Sequence, residues 1–274
     1  MSKFIDRTIS SRAITRSGRI YTGARIANAT HILDIPAELA ALVRAVHHND
    51  TEILAVETTV TETSATVSPL VLKLLADHST RTGTPIQYTL RSTHGTTVFA
   101  TDDARTMLPS YASQMPRLAS LAARDFAPAK IPADAVGDDL TSALKKAARD
   151  GITRNFPTRD GASGYGAAVR ATDGALYFGG QYSTPDERLG AHAEMAVLIH
   201  ALLDGATGFT HLALASSKFK DVPASPCGCC RQFLADTARA TESEPHVHLF
   251  AMETDATAVY TLDELLPAAW TNRT

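Results

Sequence analysis

The stretch "GALYFGGQYSTPDERLGAHAEMAVLIHAL", Gly174 to Leu202, decides the fold because the chain carries its layout twice. The earlier copy is "GRIYTGARIANATHILDIPAELAALVRAV", Gly18 to Val46. A constant offset of 156 residues pairs Gly18 with Gly174, Gly23 with Gly179, Ala37 with Ala193 and Glu38 with Glu194. Further on, "SPLVLKLLAD" from Ser68 echoes "SPCGCCRQFLAD" from Ser225, and "TMLPSYA" from Thr106 echoes "ELLPAAW" from Glu264. A shared compositional bias does not preserve such an order, so the chain reads as a tandem duplication.

Working outward, "YGAAVRATDGALYFGG" has two β-prone runs around Asp173-Gly174, the signal of a hairpin with a two-residue turn. A helix is expected from about Ala191. "THLALASS" and "HVHLFAM" read as strands, with "CRQFLADTARA" as a helix between them and a last helix in "TLDELLPAAW". Upstream, "DDLTSALKKAARDG" reads as a helix capped by Asp139 or Thr141 and ended by Gly151, and the first copy lacks its counterpart. Strands alternating with helices predict an α/β fold of two tandem α/β/α layered units, each with a mixed sheet flanked by helices. The Pro- and Ala-containing segment 125–139 suits a linker between a unit at 1–124 and one at 140–274.

Hydrophobic residues make up 44% of 274, ample for real cores. A net charge of −3 supplies no field to gather nucleic acid or an anionic membrane. Lys3, Arg7, Arg12, Arg16, Arg19 and Arg25 near the start read as a solvated face. No apolar run reaches the roughly 18 residues of a membrane helix and no secretory h-region opens the chain, so a cytoplasmic location is expected. Cys227, Cys229 and Cys230 fall within four residues, a spacing that suits a metal or redox site and not a disulfide framework.

Catalytic zinc takes three protein ligands and keeps a fourth position open for water. His192, Cys227 and Cys230 supply that number. Cys227 and Cys230 are three residues apart, on one helical turn, and His192 opens another helix. Helix N-termini favour thiolates and an anionic oxygen. Glu194 would face the open position without being a ligand. Zinc lowers the pKa of bound water from 15.7 toward roughly 7, and a neighbouring carboxylate can carry the released proton. His246 and His248 fall on one face of a strand and are read as structural.

"HAE" at His192 and "PCGCC" at Pro226 together follow the H-x-E…P-C-x-x-C pattern of zinc-dependent nucleobase deaminases. With "PCGCCRQ" and "ELLPAAW", the second half resembles the cytidine deaminase family over roughly residues 140 to 270. The resemblance implies Zn²⁺ held by His192, Cys227 and Cys230, with Glu194 as the catalytic proton shuttle. It implies attack of water at C4 of a cytosine nucleoside and departure of ammonia. Substrate contacts fall by the same resemblance on Gln181, Ser183, Ala193 and, from a neighbouring unit, Trp270. Met195 stands where relatives with three cysteine ligands carry an arginine, consistent with a site whose one histidine and two thiolates already neutralise the metal.

Three departures matter. Gln181 and Ser183 stand where the family's ribose-holding Asn and Glu would be, so a charge-assisted bond worth roughly 1.5–3 kcal/mol is missing unless Asp186 or Glu187 replaces it. Ser163 replaces a ring-stacking Phe. In the first copy Pro36 occupies the histidine position and no cysteine is present, so that half should bind no zinc, and Glu38 is a relic. The expected assembly is a homodimer without nucleic-acid or membrane partners. The expected activity is deamination of cytidine or deoxycytidine. A modified cytosine nucleoside of the blasticidin type, or a cytosine in single-stranded nucleic acid, is the alternative substrate.

Overall fold

The computed structural model describes residues 5–61, 66–108, 116–121, 124–186 and 189–271. Lys3, residues 109–112 of the repeat and Glu187 lie outside these. In the first half β1 (Ile5–Thr15), β2 (Ile20–Ile26), β3 (Ile53–Val60), β4 (Gln87–Ser92) and β5 (Thr97–Thr101) form one sheet in the order β2-β1-β3-β4-β5. Helices α1 (Ala37–His47) and α2 (Pro69–Thr82) separate β2 from β3 and β3 from β4. The second half comprises β6 (Lys130–Ile131), α3 (Leu140–Ile152), β7 (Tyr165–Ala171), β8 (Leu176–Gly180), α4 (Ala193–Leu203), β9 (Phe209–Ser216), α5 (Gly228–Ala240), β10 (His246–Phe250), β11 (Thr257–Tyr260) and α6 (Leu262–Leu265). Its sheet runs β11-β10-β9-β7-β8-β6.

The five-strand order therefore recurs, with β7 to β11 in the places of β1 to β5. In both halves the third and fourth strands are parallel and joined across a helix, while the other pairs are antiparallel. Both sheets are mixed and flanked by helices, as the alternation predicts. The hairpins repeat too. Gly174 N–H donates to the Ala171 carbonyl and Ala171 N–H to that of Ala175; Gly18 and Thr15 make the same pair of bonds with Thr15 and Arg19. Gly174 and Gly18 have φ of +90° and +82°. This is a three-residue loop with a left-handed glycine, in place of the two-residue turn expected from Asp173-Gly174.

Asp139 does cap α3, accepting from the Ser142 N–H at 3.0 Å. Gly151 lies within that helix and does not end it: a Cβ there would meet the Gly179 carbonyl at 2.5 Å, so the residue permits close helix–sheet approach. α3 covers an apolar sheet face made of Ala168, Leu176, Phe178, Ala213, Ala215 and Phe250. Among the described residues no helix precedes β1. The corresponding face of the first sheet is polar, pairing Ser10 with Thr59 and Arg12 with Glu57. One sheet face needs cover and the other does not.

The opposite faces meet. α1 packs against α4, and one continuous core runs from Ala13 and Leu39 through Val197 and Leu214 to Val247. Buried polar groups cross this seam. His47 Nε2 lies 2.8 Å from the Gly180 carbonyl. The His78 ring stacks on Phe156, and Phe156 on Tyr182, with centroids 4.5 and 4.8 Å apart. Arg81, fully buried, pairs with Asp77, reaches the Pro157 carbonyl at 2.6 Å and sits 4.0 Å over the Phe156 ring.

Within the segment read as a linker, Lys130–Ile131 adds an edge strand beside β8. β11 is a strand without a sequence-based forerunner. The last described helix is only Leu262–Leu265, opened by a capping box between Thr261 and Glu264. No described helix is long and apolar enough to cross a membrane.

Candidate metal centre

Two helix N-termini converge here. His192 is the N-cap of α4 and Cys227 that of α5, both in extended conformation (φ −63° and −71°), and neither side chain makes a capping hydrogen bond. Their side chains turn toward each other instead of capping their own helix ends. Cys230 follows one turn into α5 and is buried, whereas His192 and Cys227 are exposed. The loop before α5 is pinned by Arg231, whose guanidinium donates to the Pro226 carbonyl (2.9 Å), the Leu265 carbonyl (3.0 Å) and the Ser225 hydroxyl (3.0 Å). The pattern "PCGCCRQ" contains Arg231 but does not display this role, because two of the three contacts are to backbone carbonyls, one of them on the distant Leu265.

The three donor atoms form a compact triangle. Cys227 Sγ lies 3.4 Å and Cys230 Sγ 3.3 Å from His192 Nδ1, and the sulfurs are 3.6 Å apart. Tetrahedral zinc, with Zn–S near 2.3 Å and Zn–N near 2.0–2.1 Å, requires edges of about 3.6–3.8 Å. The triangle fits to within a few tenths of an ångström. Among the described residues this is the group of histidine, cysteine and acidic side chains whose donor atoms converge closely enough for a metal ion.

Hydrogen bonding inside the triad separates the thiols. Cys227 is pulled down to about 3, chiefly by the Cys230 thiol and then by His192. Cys230 is pushed up by its bond to Cys227, by burial and by the Glu194 carboxylate. A divalent cation held by both sulfurs would displace a thiol proton. Glu194, in the first turn of α4, is 4% exposed and lies against Cys230. Burial raises its pKa, so it holds a proton more readily than an ordinary carboxylate.

Of the expected substrate contacts, Ala193 is the buried first residue of α4. Tyr182 bridges to Ala191, so Gln181 and Ser183 flank the strand-like residue next to the segment that carries His192. Gln181 Nε2 donates to Ser183 Oγ at 2.6 Å, and the Gln181 N–H is held by Asn155 Oδ1 at 2.9 Å. Asp186 pairs with Lys73 of the first half at 3.0 Å. Neither Asn155 nor Lys73 was legible in advance, because each acts from a distant segment. The Trp270 side chain is half exposed, and its backbone is clamped by Gln232, which accepts from its N–H and donates to its carbonyl. No described contact brings the Trp270 ring to the triad of the same chain.

No family model matches the sequence. A cytidine deaminase of Vibrio vulnificus (strain CMCP6) is 37% identical over 79 residues, which are 28% of this chain and 24% of that protein. A cytidine deaminase of Shewanella frigidimarina (strain NCIMB 400) is 34% identical over 97 residues, 35% of this chain and 29% of that protein. The similarity is to cytidine deaminases. The match spans about a quarter of the length of these curated relatives. Among solved structures, the cytidine deaminase of Burkholderia pseudomallei aligns at 26% identity with a TM-score of 0.42, covering 47% of this chain and 98% of that one. That of Mycobacterium tuberculosis aligns at 22% with a TM-score of 0.39, covering 50% and 100%.

Proposed function

We propose that the chain is a zinc-dependent aminohydrolase that converts a cytosine nucleoside to its uracil counterpart and ammonia, with residues 140–274 catalytic and 1–124 silent. The observation that carries this reading is the triangle of His192 Nδ1, Cys227 Sγ and Cys230 Sγ with the buried Glu194 carboxylate against it. The similarity to cytidine deaminases supports the same activity.

His192, Cys227 and Cys230 would hold the metal, and zinc bound there supplies Lewis-acid activation of the attacking water. Glu194 performs the proton transfers. As a carboxylate it accepts the proton released by the water that attacks C4 and, as an acid, delivers it to N3 of the ring; it then takes the proton of the new C4 hydroxyl and delivers it to the amine, which departs as ammonia while the C4 carbonyl forms. Its elevated pKa suits both roles. The two helix N-termini add partial positive charge where the nucleophile and thiolates need it. Gln181, Ser183 and Ala193 are assigned to orienting the substrate, and Trp270 to the neighbouring chain's site in a homodimer.

A second substrate reading, a modified cytosine nucleoside, is favoured by one observation. The Gln181 amide is already bonded to Ser183, and Asp186 is paired with Lys73, so the described residues offer no uncommitted carboxylate at the sugar-holding positions. Metal analysis together with a nucleoside panel, read by ammonia release and the ultraviolet shift, tests both. One zinc per chain with turnover of cytidine or deoxycytidine supports the first reading; zinc with inertness toward both but turnover of a base- or sugar-modified analogue supports the second. Folded protein that takes up no stoichiometric zinc overturns both.

A further inference from the structure

The first half retains a cavity at the place that corresponds to the metal centre of the second. The two sites align element by element: Pro36 is the N-cap of α1 as His192 is of α4, and Ser68 is the N-cap of α2 as Cys227 is of α5. Val71, three residues after Ser68, stands where Cys230 does. The metal ligands have become a proline, a hydroxyl and an aliphatic side chain, yet the described residues leave the space unfilled. A pocket of about 330 Å³ opens there, and Ile9, Ile35, Val60, Val71 and Leu90 give it a mainly apolar wall.

One charged group is buried in that wall. Glu38 is 5% exposed, and its Oε1 accepts from the Thr58 hydroxyl at 2.7 Å and the Tyr88 hydroxyl at 3.0 Å. Thr58 is backed in turn by Ser11 at 2.7 Å. The Tyr88 hydroxyl keeps its proton, because burial and the Glu38 charge push its pKa up. Both donors serve the same oxygen. Oε2 makes no hydrogen bond among the described residues and belongs to a side chain lining the cavity. A relic with no role would be expected to lose a buried carboxylate, since an ionised group in an apolar wall is costly unless its bonds are completed. At the mouth, Arg25 and Asp34 pair at 2.7 Å and form a polar rim.

We propose that this cavity is a second, non-catalytic binding site for a nucleoside-sized ligand, whose heteroaromatic base presents an N–H donor to Glu38 and whose hydroxylated part meets the Arg25–Asp34 rim. The assignment follows from the chemistry of the pocket. An apolar slot accepts a flat ring, a single acceptor oxygen selects an N–H or NH₂ edge, and the volume falls in the range of small-molecule sites. It does not require the second half to be an enzyme.

The test uses the whole chain and uridine as probe, because uridine carries an N3–H donor and no amine to lose. Binding stoichiometry is measured by calorimetry for the native chain, for Val71→Phe, which fills the cavity, and for Glu38→Gln, which keeps an acceptor for Thr58 and Tyr88 but turns an NH₂ toward the pocket. The expected result is the loss of one bound equivalent in Val71→Phe and weakening of that equivalent by about tenfold or more in Glu38→Gln. The native chain then binds two equivalents if the metal half also takes uridine and one if it does not, so the outcome is independent of the deaminase reading. Circular dichroism and a melting curve identify a misfolded Val71→Phe, in which case Glu38→Gln decides. An unchanged stoichiometry in folded Val71→Phe, unchanged affinity in Glu38→Gln, or no uridine binding by the native chain overturns the proposal.

Discussion

His78 Nδ1 of the first half lies 2.8 Å from the Tyr182 hydroxyl of the second, while its Nε2 lies 2.8 Å from the Thr51 carbonyl. A carbonyl only accepts, so Nε2 carries a proton. Burial lowers the pKa of the ring to about 3, which leaves it neutral, and a neutral ring with its proton on Nε2 accepts at Nδ1 from Tyr182. His47, donating to the Gly180 carbonyl across the same seam, is lowered by burial to about 3 as well.

The first prediction concerns acid. In the unfolded chain each imidazole titrates near 6.5, so below that pH the unfolded state binds protons that the native state refuses. Stability is unaffected by these two groups above pH 6.5 and falls as pH drops toward 3, by about 1.4 kcal/mol per pH unit for each histidine. Between pH 7.5 and 5.5 the pair should remove about 3 kcal/mol, seen as a lower urea midpoint. His78→Gln should flatten the slope. Equal midpoints at the two pH values would contradict the neutral, buried assignment.

Arg81 and Asp77 give the second prediction. Both are fully buried on one turn of α2, and burial raises the Asp77 pKa against the lowering effect of the guanidinium. Arg81→Met removes the partner and leaves the carboxylate uncompensated, at a cost of about 3–5 kcal/mol. The double variant Arg81→Met/Asp77→Leu should recover much of it. A single variant as stable as the native chain in denaturant titration would show that the pair is not what closes this part of the seam.

Legibility in the sequence followed range. The hairpin at Gly174, the Asp139 cap and the strand–helix alternation depend on residues a few positions apart and could be read directly, although the turn has three loop residues and not two, and the repeat shows in the order of its matching residues. The donor triad was legible because its members are chemically rare in that spacing. The helix read in "TLDELLPAAW" shrank to one turn because Leu266 precedes Pro267 and takes a non-helical φ of −145°. The seam was illegible. Nothing local marks His78, Arg81 or Phe156 as partners of one another, and polar residues such as His78 and Arg81 are read by default as exposed.

The duplication yields a third prediction, on metal content. Pro36, Ser68 and Val71 offer no set of three donors, whereas His192, Cys227 and Cys230 do. Purified protein should bind one zinc per chain, and Cys227→Ala should lower that to a small fraction while the first half keeps its fold. Two zinc ions per chain, or one that survives Cys227→Ala together with His192→Ala, would place the metal elsewhere.

Glu194 allows the sharpest separation of roles. It is not a member of the donor triad, and its carboxylate lies buried beside Cys230 with a raised pKa. Replacement by glutamine preserves shape and hydrogen-bonding capacity but removes the ionisable carboxyl to which the proposed mechanism gives the proton transfers. Glu194→Gln should therefore retain one zinc and bind nucleoside, while kcat falls by about 10²–10⁴, the usual contribution of positioned acid–base catalysis. Substrate affinity, measured by titration under non-turnover conditions, should change far less than kcat. If the variant loses zinc in step with activity, Glu194 supports the metal site and does not shuttle protons; if it turns over substrate at the native rate, the proton path runs through another group.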